Sequence, residues 1–239
     1  TCYFDKRPKF FHYRPNILLI NNIEFDHADI YENIEMIEKN FFELIKTMPS
    51  KSKVLINEKK VSKSFRNKLK KEKLKTTLQF LSLNTSNIHE ENKLLAAHAI
   101  EDLISKEKVL NGLKDYIGVK RRFETIFNDK NFKLIDDFAH HPTAIEETIK
   151  MIREQTDNLT LIVELGSNSM KRGVHDKRLV DIFKNQETYT INASAEQEKI
   201  FSVHAKELTN DDIVNICSKD EKKKTILMLS LIHISEPTR

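Results

Sequence analysis

Alternating apolar and polar positions divide the first half of the chain into short strands and amphipathic helices. The apolar run at 16–20 predicts a buried strand, and the helical spacing of apolar residues over 32–48 predicts a helix that ends at Pro49. The apolar positions of that helix are Ile34, Ile37, Phe41, Leu44 and Ile45. Further along, the pattern predicts strands at 54–56 and 78–83 and an apolar helix at 94–104.

A lysine-rich stretch, residues 50–75, lies between these elements. Within it Val61, Phe65, Leu69 and Leu74 recur at helical spacing, which predicts a basic amphipathic helix. Its lysines could form a functional basic surface patch, although such a pattern more often marks the solvated outer face of a helix. Both interpretations stay open.

From residue 132 onward, strand and helix patterns alternate. We predict strands at 132–135, 159–165, 188–191 and 225–229, and helices at 143–155, 176–184, 195–201 and 210–217. Strands that alternate with helices pair in parallel, so this region is predicted to be an α/β domain with a doubly wound sheet. We expect the sheet to be cut off at its last strand.

The stretch 133–153 carries the polar side chains most typical of a functional site. Its strand leads into Asp136 and Asp137, and His140 and His141 come just before the helix that Pro142 opens. Open α/β sheets bind ligands at the carboxyl ends of their strands, where these carboxylates and imidazoles are predicted to lie. A solvated turn with surface histidines explains the same residues about as well.

Composition narrows the classes of function. The 239 residues are 39% hydrophobic and 32% charged, and the net charge of +4 is spread among nearly as many acids as bases, which does not indicate a nucleic-acid-binding protein. No apolar run approaches the length of a membrane span, and we expect no signal peptide. Cys2 and Cys217 lie far apart without metal-type spacing, which fits a reducing cytoplasm.

Glycine is scarce, with four residues in the chain, and neither GxxxxGK[ST] nor GxGxxG occurs. The chain opens on Thr1, and its last residues, SLIHISEPTR (230–239), look like an adapter-derived tail. We therefore expect a fragment of a longer protein, and we expect this chain by itself to lack activity.

Four stretches, in the same order, resemble the Mur ligases, the ATP-dependent amide-forming enzymes of peptidoglycan synthesis. They are YFDKRPKFFHYRP (3–15), NNIEFDHADIYENI (21–34), DDFAHHPTAI (136–145) and SNSMKRGVH (167–175). Within the family the chain is most similar to the murein-recycling branch. The resemblance implies a truncated central ATPase-type domain at 1–116, a Rossmann-like C-terminal domain with a parallel sheet at 117–229, and the tail at 230–239.

The resemblance also implies a reaction. The carboxylate of UDP-N-acetylmuramate would be activated by phosphoryl transfer from ATP, and the acyl phosphate would be attacked by the amine of the tripeptide L-Ala-γ-D-Glu-meso-diaminopimelate. ATP and Mg²⁺ would be the cofactors, and the sugar nucleotide and the murein tripeptide the partners. Neither nucleic acid nor membrane is expected as a partner, and the location would be cytoplasmic.

Matching the motifs assigns roles in the nucleotide site. His27 is the implied metal ligand, with Asn22 and Asp26 shaping its surroundings. The resemblance further implies that His89 contacts the adenine and that Arg122 reaches the nucleotide phosphates.

The remaining roles lie in the third domain. Asp137 is the implied partner of the ribose, and His140 and His141 would lie beside the reacting groups. The peptide substrate would be bound by Ser167, Asn168 and Lys171.

Two further interpretations remain from the residues. A metal-dependent phosphohydrolase would need the Asp and His residues of DHAD (26–29) and DDFAHH (136–141) to converge on two adjacent metals. A non-catalytic fragment or degenerate paralogue is favoured by the IHEEN run (88–92), in place of the family's H-N-x-x-N, and by Gly166, where an Arg is expected.

Overall fold

The structure, a computed structural model, describes residues 7–28, 30–85, 87–217 and 223–230. The chain divides into two compact units, Thr1–Tyr116 and Ile117–Arg239. Both units are α/β, as predicted, and each is described separately. Among the described residues, no helix combines the length and the apolar character that crossing a membrane requires.

The first unit is built around a three-stranded parallel sheet in the order β1-β2-β3. Its described elements, apart from 3₁₀ turns at Lys9–His12 and Glu58–Lys60, are β1 (Ile17–Ile20), α1 (Ile34–Thr47), β2 (Lys53–Asn57), α2 (Lys63–Lys71), β3 (Thr77–Leu81), α3 (Ile88–Ile100) and α4 (Lys106–Gly112).

Helices cover both faces of this sheet. Val54 and Ile56 of β2 pack in the cluster that contains buried residues of α1 and α2, whereas Leu55 packs with Leu95 of α3. This alternation follows from the period of two residues in a strand. The predicted lysine-rich helix is present as α2, which is short and ends at Lys71. It begins after Ser62, whose side chain caps it by accepting from the backbone N–H of Phe65.

The helix predicted at 94–104 begins and ends earlier than its apolar residues indicate. Asn87 accepts a hydrogen bond from the backbone N–H of Glu90 and so starts α3 six residues before Leu94. After α3 ends at Ile100 the chain turns, and Leu103 is left 78% exposed.

The second unit contains a six-stranded sheet in the order β4-β5-β9-β6-β7-β8. Its described elements are β4 (Glu124–Asn128), β5 (Phe132–Asp137), α5 (Pro142–Arg153), β6 (Leu159–Glu164), α6 (Asn168–Lys171), α7 (Asp176–Phe183), β7 (Glu187–Ile191), α8 (Ala195–Phe201), β8 (Lys206–Glu207), α9 (Asn210–Ile216) and β9 (Lys224–Leu229). The last strand lies inside the sheet, between β5 and β6.

The prediction of an all-parallel sheet needs a correction at one edge. β4 pairs antiparallel with β5, whereas the other pairs are parallel. The connection between them is too short for a parallel crossover, and the Asp129 carboxylate closes it by accepting from the backbone N–H groups of Asn131 and Phe132.

The register of the parallel strands places their carboxyl ends side by side. Asp137 of β5 is paired with Leu229 of β9, and Leu229 with Val163 of β6. The main core lies on the face covered by α5, α7 and α8, and includes Ile145 and Leu179. The loops after β5 and β6, together with Ser230 after β9, therefore lie side by side at the carboxyl ends of these strands. The polar motifs of the second unit lie in these loops.

Candidate functional site

Asp137 ends β5 and is almost fully buried, at 7% exposure. One carboxylate oxygen accepts from the backbone N–H of Ala139 at 2.8 Å, and the other from the N–H of Phe123 at 3.0 Å and from the Thr148 hydroxyl at 3.3 Å. Burial raises the pKa of Asp137, while these hydrogen bonds and the charge of Arg122 oppose the rise. The carboxylate therefore fixes the loop that follows the strand.

The two arginines before β4 have different surroundings. The Arg121 side chain is 17% exposed, and its Nε donates to Asp136 Oδ2 at 3.1 Å. The Arg122 side chain is exposed, and its guanidinium carbon lies 5.1 Å from the centre of the Phe138 ring. Of the pair, Arg122 is therefore the more exposed residue.

The two histidines after β5 take different positions. The Nδ1 atom of His140 lies 3.0 Å from the carbonyl oxygen of Phe138, and its ring meets the Phe138 ring edge-on at 5.2 Å. His141 stands at the N-cap of α5, and its ring lies 4.8 Å from that of His175. The His141–His175 contact joins the loop after β5 to the loop after β6.

The loop after β6 carries the residues predicted to bind the peptide. Ser167 caps α6 by accepting from the backbone N–H of Met170 at 3.2 Å, while Asn168 and Lys171 are exposed. Behind them the Gln197 amide donates to the Met170 carbonyl at 2.8 Å and to Asp176 Oδ1 at 2.9 Å. The exposed side chains of Asn168 and Lys171 therefore lie on a loop that Gln197 of α8 holds in place by hydrogen bonds.

The metal and adenine residues proposed from sequence lie in the first unit. His27 is exposed with φ at 55°, and the Asp26 carboxylate accepts from its backbone N–H at 2.6 Å. Asn22 is also exposed and donates to Glu24 at 3.1 Å, and His89 lies in the first turn of α3. Asp29, the last residue of DHAD, lies outside the described residues.

A buried polar network lies beside these residues, at the ends of β1 and β2. Asn57 is 1% exposed and donates to Glu91 Oε1 at 2.9 Å and to Asn21 at 3.2 Å, and Lys60 pairs with Glu91 at 2.8 Å. Asn21 in turn donates to Asn92 at 3.0 Å. The IHEEN run therefore supplies Glu91 to the interior of this unit, whereas Asn92 is exposed and bonds Asn21 at the surface.

Comparison with known proteins identifies the family. Residues 5–111 match the family model described as Mur ligase middle domain, and residues 121–211 match the model described as Mur ligase, glutamate ligase domain. The chain belongs to the Mur ligase family. The two models match residues on opposite sides of the boundary between the two compact units.

Individual relatives agree with this assignment. The chain is 30% identical over 216 residues to a UDP-N-acetylmuramate–L-alanyl-γ-D-glutamyl-meso-2,6-diaminoheptandioate ligase of Haemophilus influenzae, a match that covers 73% of the chain and 46% of that protein. This Mur ligase chain thus spans about half the length of that curated relative.

Two solved structures show the same fold. A murein peptide ligase of Psychrobacter arcticus superimposes with a TM-score of 0.63 at 24% identity, covering 95% of this chain and 57% of that one. The MurF ligase of Thermotoga maritima in complex with ADP gives a TM-score of 0.64 at 14% identity, covering 90% and 58%.

The described residues of this Mur ligase do not, by themselves, complete a metal centre. Among them no group of three or more His, Cys, Asp or Glu side chains is placed to hold an ion. The Asp26 carboxylate accepts from the backbone of its own loop. Because Mg²⁺ prefers oxygen ligands, the His27 imidazole could supply at most one ligand among several oxygen atoms.

Several residues at the sheet edge of the Mur ligase were not singled out from sequence. Glu164, inside the apolar LTLIVEL run, is 4% exposed and accepts from Asn192 at 3.2 Å and from the Ser230 hydroxyl at 2.6 Å. A charged residue at the carboxyl end of a buried strand was the signal that could have revealed it. His175 and Arg121 carried no such signal, because their partners are distant in sequence.

Proposed function

We propose that the complete protein carrying this chain is an ATP-dependent ligase of peptidoglycan recycling. It would join UDP-N-acetylmuramate to the tripeptide L-Ala-γ-D-Glu-meso-diaminopimelate. The observation that carries the proposal is the exposed Arg122 guanidinium, which lies near Asp137 and Phe138 at the carboxyl end of β5, where the loop with the two histidines begins. The printed name of the Haemophilus influenzae relative supports the choice of substrates.

The chemistry needs charge neutralisation more than covalent participation by the protein. A carboxylate is a poor electrophile, so transfer of the terminal phosphoryl group of ATP to its oxygen yields ADP and an acyl phosphate. The peptide amine then forms the C–N bond, the C–O bond to phosphate breaks, and the amine loses a proton. Positioning and electrostatic stabilisation supply most of the rate in such reactions.

Arg122 is the residue we assign to the phosphate groups. Its guanidinium is exposed and has no hydrogen-bond partner among the described residues, so its fork of N–H donors is available to phosphate oxygens. His140 and His141 lie on the loop after β5, which also carries the Phe138 ring that Arg122 contacts. An imidazole on that loop can take up the proton that the amine releases.

Asp137 is assigned to the ribose in a restricted way. Three donors occupy its oxygens, and a carboxylate offers about four lone-pair sites, so one site remains for a ribose hydroxyl. In the first unit, His89 and Asn22 are the residues we assign to nucleotide binding. Ser167, Asn168 and Lys171 offer donors to the carboxylates of the peptide.

ATP is the proposed cofactor because a protein of the same fold, the MurF ligase of Thermotoga maritima, is described in complex with ADP. Magnesium would neutralise phosphate charge when bound. His27 is the residue we assign to it, and most of its ligands would have to come from phosphate, water or residues outside the described set.

The test is ADP release by the complete protein. We expect ADP only when UDP-N-acetylmuramate and a diaminopimelate-containing tripeptide are both present, with omission of each substrate as the matched control. Equal ADP release with free L-alanine as the amine would place the protein in another branch of the family.

The same assay separates the alternatives. Phosphate release from a phosphate ester without ATP would indicate the phosphohydrolase, which the metal count among the described residues does not favour. A complete protein with no turnover of any substrate pair would support a binding role. Calorimetric titration of this 239-residue chain with ATP and Mg²⁺ measures the affinity of the chain for the nucleotide. That affinity shows how much of the nucleotide site the chain contains.

A further inference from the structure

Arg122 lies between two residues with unusual backbone conformations. Arg121 has φ at 60° and Phe123 has φ at 56°, in the left-handed region that side chains with a Cβ rarely adopt. A residue with a Cβ is higher in energy in this region than in the ordinary helical or extended conformations. Conformations of this kind persist when the surroundings over-determine them, and they cluster at functional sites.

Hydrogen bonds from three sides hold this backbone. The N–H of Arg121 donates to Glu124 Oε2 at 2.7 Å, and the N–H of Phe123 donates to Asp137 Oδ2 at 3.0 Å. The carbonyl of Arg121 accepts from the N–H of Phe138 at 2.8 Å. Residues 121–123 are thereby fixed to the end of β5.

The Arg121 side chain ties the same segment to two strands. Its Nε donates to Asp136 on β5, and its Nη2 donates to the carbonyl of Ser230, directly after β9. The Asp136 side chain is only 15% exposed, and its Oδ1 is buried with no hydrogen-bond partner among the described residues. Arg121 therefore supplies the positive charge that pairs with the Asp136 carboxylate.

The Phe138 ring contacts the guanidinium groups of both arginines. The guanidinium carbons of Arg121 and Arg122 lie 5.4 Å and 5.1 Å from the centre of its ring, within the range of a cation–π contact. The Arg121 guanidinium is held by Asp136. The Arg122 guanidinium contacts the same Phe138 ring and is exposed.

We propose that Arg121 is a positioning residue that, through Asp136 and Phe138, sets the direction of the Arg122 guanidinium and does not itself bind phosphate. The assignment of Arg122 to phosphate rests on the proposed function, whereas the positioning of Arg122 by Arg121 does not. Arg121 would thus act by orientation alone.

The first test needs no activity. Removing Arg121 alone would leave the buried Asp136 carboxylate without its charge partner. The variant is therefore the double substitution Arg121→Ala with Asp136→Asn. In the unmodified 239-residue chain, the Phe138 ring current should shift the Arg122 Nε–H resonance, measured by ¹⁵N NMR. We expect that shift to collapse in the paired variant while methyl resonances of core residues such as Leu161 stay in place. An unchanged Arg122 resonance would overturn the proposal.

The second test is a double-mutant cycle in the complete protein. The paired variant should lower kcat by about 10- to 100-fold, the scale of a misplaced catalytic group, and should change KM for ATP much less. Added to Arg122→Ala, it should lower kcat no further, because Arg121 acts only through Arg122. Arg121→Lys, which keeps the charge, should recover part of the rate.

The outcomes separate the two proposals. Multiplicative losses in the cycle would mean that Arg121 binds substrate itself, and an unchanged kcat in the paired variant would mean that it positions nothing; either overturns the inference. If the unmodified complete protein shows no ligase reaction, the proposed function fails, and the NMR comparison still decides whether Arg121 orients Arg122.

Discussion

At the residue scale, neighbouring arginines differ in ways that only three-dimensional contacts define. Sequence spacing presents Arg121 and Arg122 as equivalent, and the family resemblance favoured Arg122 without a physical reason. The reason is that Asp136, 15 residues away along the chain, pairs with Arg121 and leaves its neighbour exposed. Pairing across that separation cannot be predicted from residue type.

Arg122 should matter for rate. Arg122→Ala in the complete protein is expected to cost about 3 kcal/mol of transition-state stabilisation, the scale of losing one preorganised charge donor. Arg122→Lys should recover only part of it, since an ammonium lacks the planar fork. The matched control is Arg178→Ala, which removes an exposed ion pair with Glu146 and should leave kcat unchanged. Near-parental rates in both Arg122 variants would remove this residue from the phosphate site.

Gly173 tests the loop that carries the predicted peptide-binding residues. Its φ is 70°, and a Cβ there would lie 2.9 Å from Asp176 Oδ2, so Gly173→Ala should combine backbone strain with a clash. Gly118, with φ at 99° and open space around it, isolates the strain alone, which should cost about 1–2 kcal/mol. Urea denaturation should rank Gly173→Ala as clearly more destabilising than Gly118→Ala, and equal losses would argue against a rigid Asp176.

At the element scale, the strands and helices with strong periodicity were predictable and the edges were not. The β5–α5 segment matched because an apolar run, a Pro at the first helical turn and recurring isoleucines all indicate the same structure. β4 was missed because it is exposed at all but one position, so no apolar pattern distinguishes it from a linker. α3 was shifted because its first turn is capped by Asn87 and is not apolar.

The first turn of α9 should make stability depend on pH. A hydrogen bond from the Lys206 ammonium at 2.6 Å, followed by one from the Thr209 hydroxyl at 2.7 Å, lowers the pKa of Asp212 from 3.8 to about 2. A lowered folded-state pKa means that the stabilisation is present above pH 3.8 and is lost as the pH falls through 2. The difference in unfolding free energy between the unmodified chain and Asp212→Asn should therefore be constant near neutrality and shrink below about pH 4.

A control for this prediction lies in the same turn. Asp211→Asn removes a charge from the first turn of α9 without touching the capping box formed by Thr209 and Asp212. Its difference from the unmodified chain should be small throughout this range. A pH-independent gap for Asp212→Asn would show that the ion pair with Lys206 does not form in solution.

At the scale of the whole molecule, the two units have separate hydrophobic cores. The clusters of the first unit draw on β1 to β3 with their helices, and those of the second unit on β5 to β9 with theirs. The resemblance to the Mur ligases implied domains at 1–116 and 117–229, which stays a prediction, and each of the two family models matches residues of one unit. What no local pattern could supply is the strand order, since β9 enters the sheet between β5 and β6 from the far end of the chain.

Separate cores predict separate responses to core truncation. Phe65 of the first unit and Phe183 of the second are both essentially inaccessible, at 1% and 0% exposure, so replacing either with Ala should cost its own unit about 3–5 kcal/mol. Differential scanning calorimetry of the 239-residue chain should then show two transitions, with Phe65→Ala lowering one and Phe183→Ala lowering the other. The conservative variants Ile56→Val and Ile145→Val should each cost about 0.5–1.5 kcal/mol of stability. Ile56→Val should lower the transition of the first unit and Ile145→Val that of the second, each by less than the phenylalanine variant of the same unit. A single transition that both phenylalanine variants lower equally would mean that the units unfold as one cooperative body, in spite of their distinct cores.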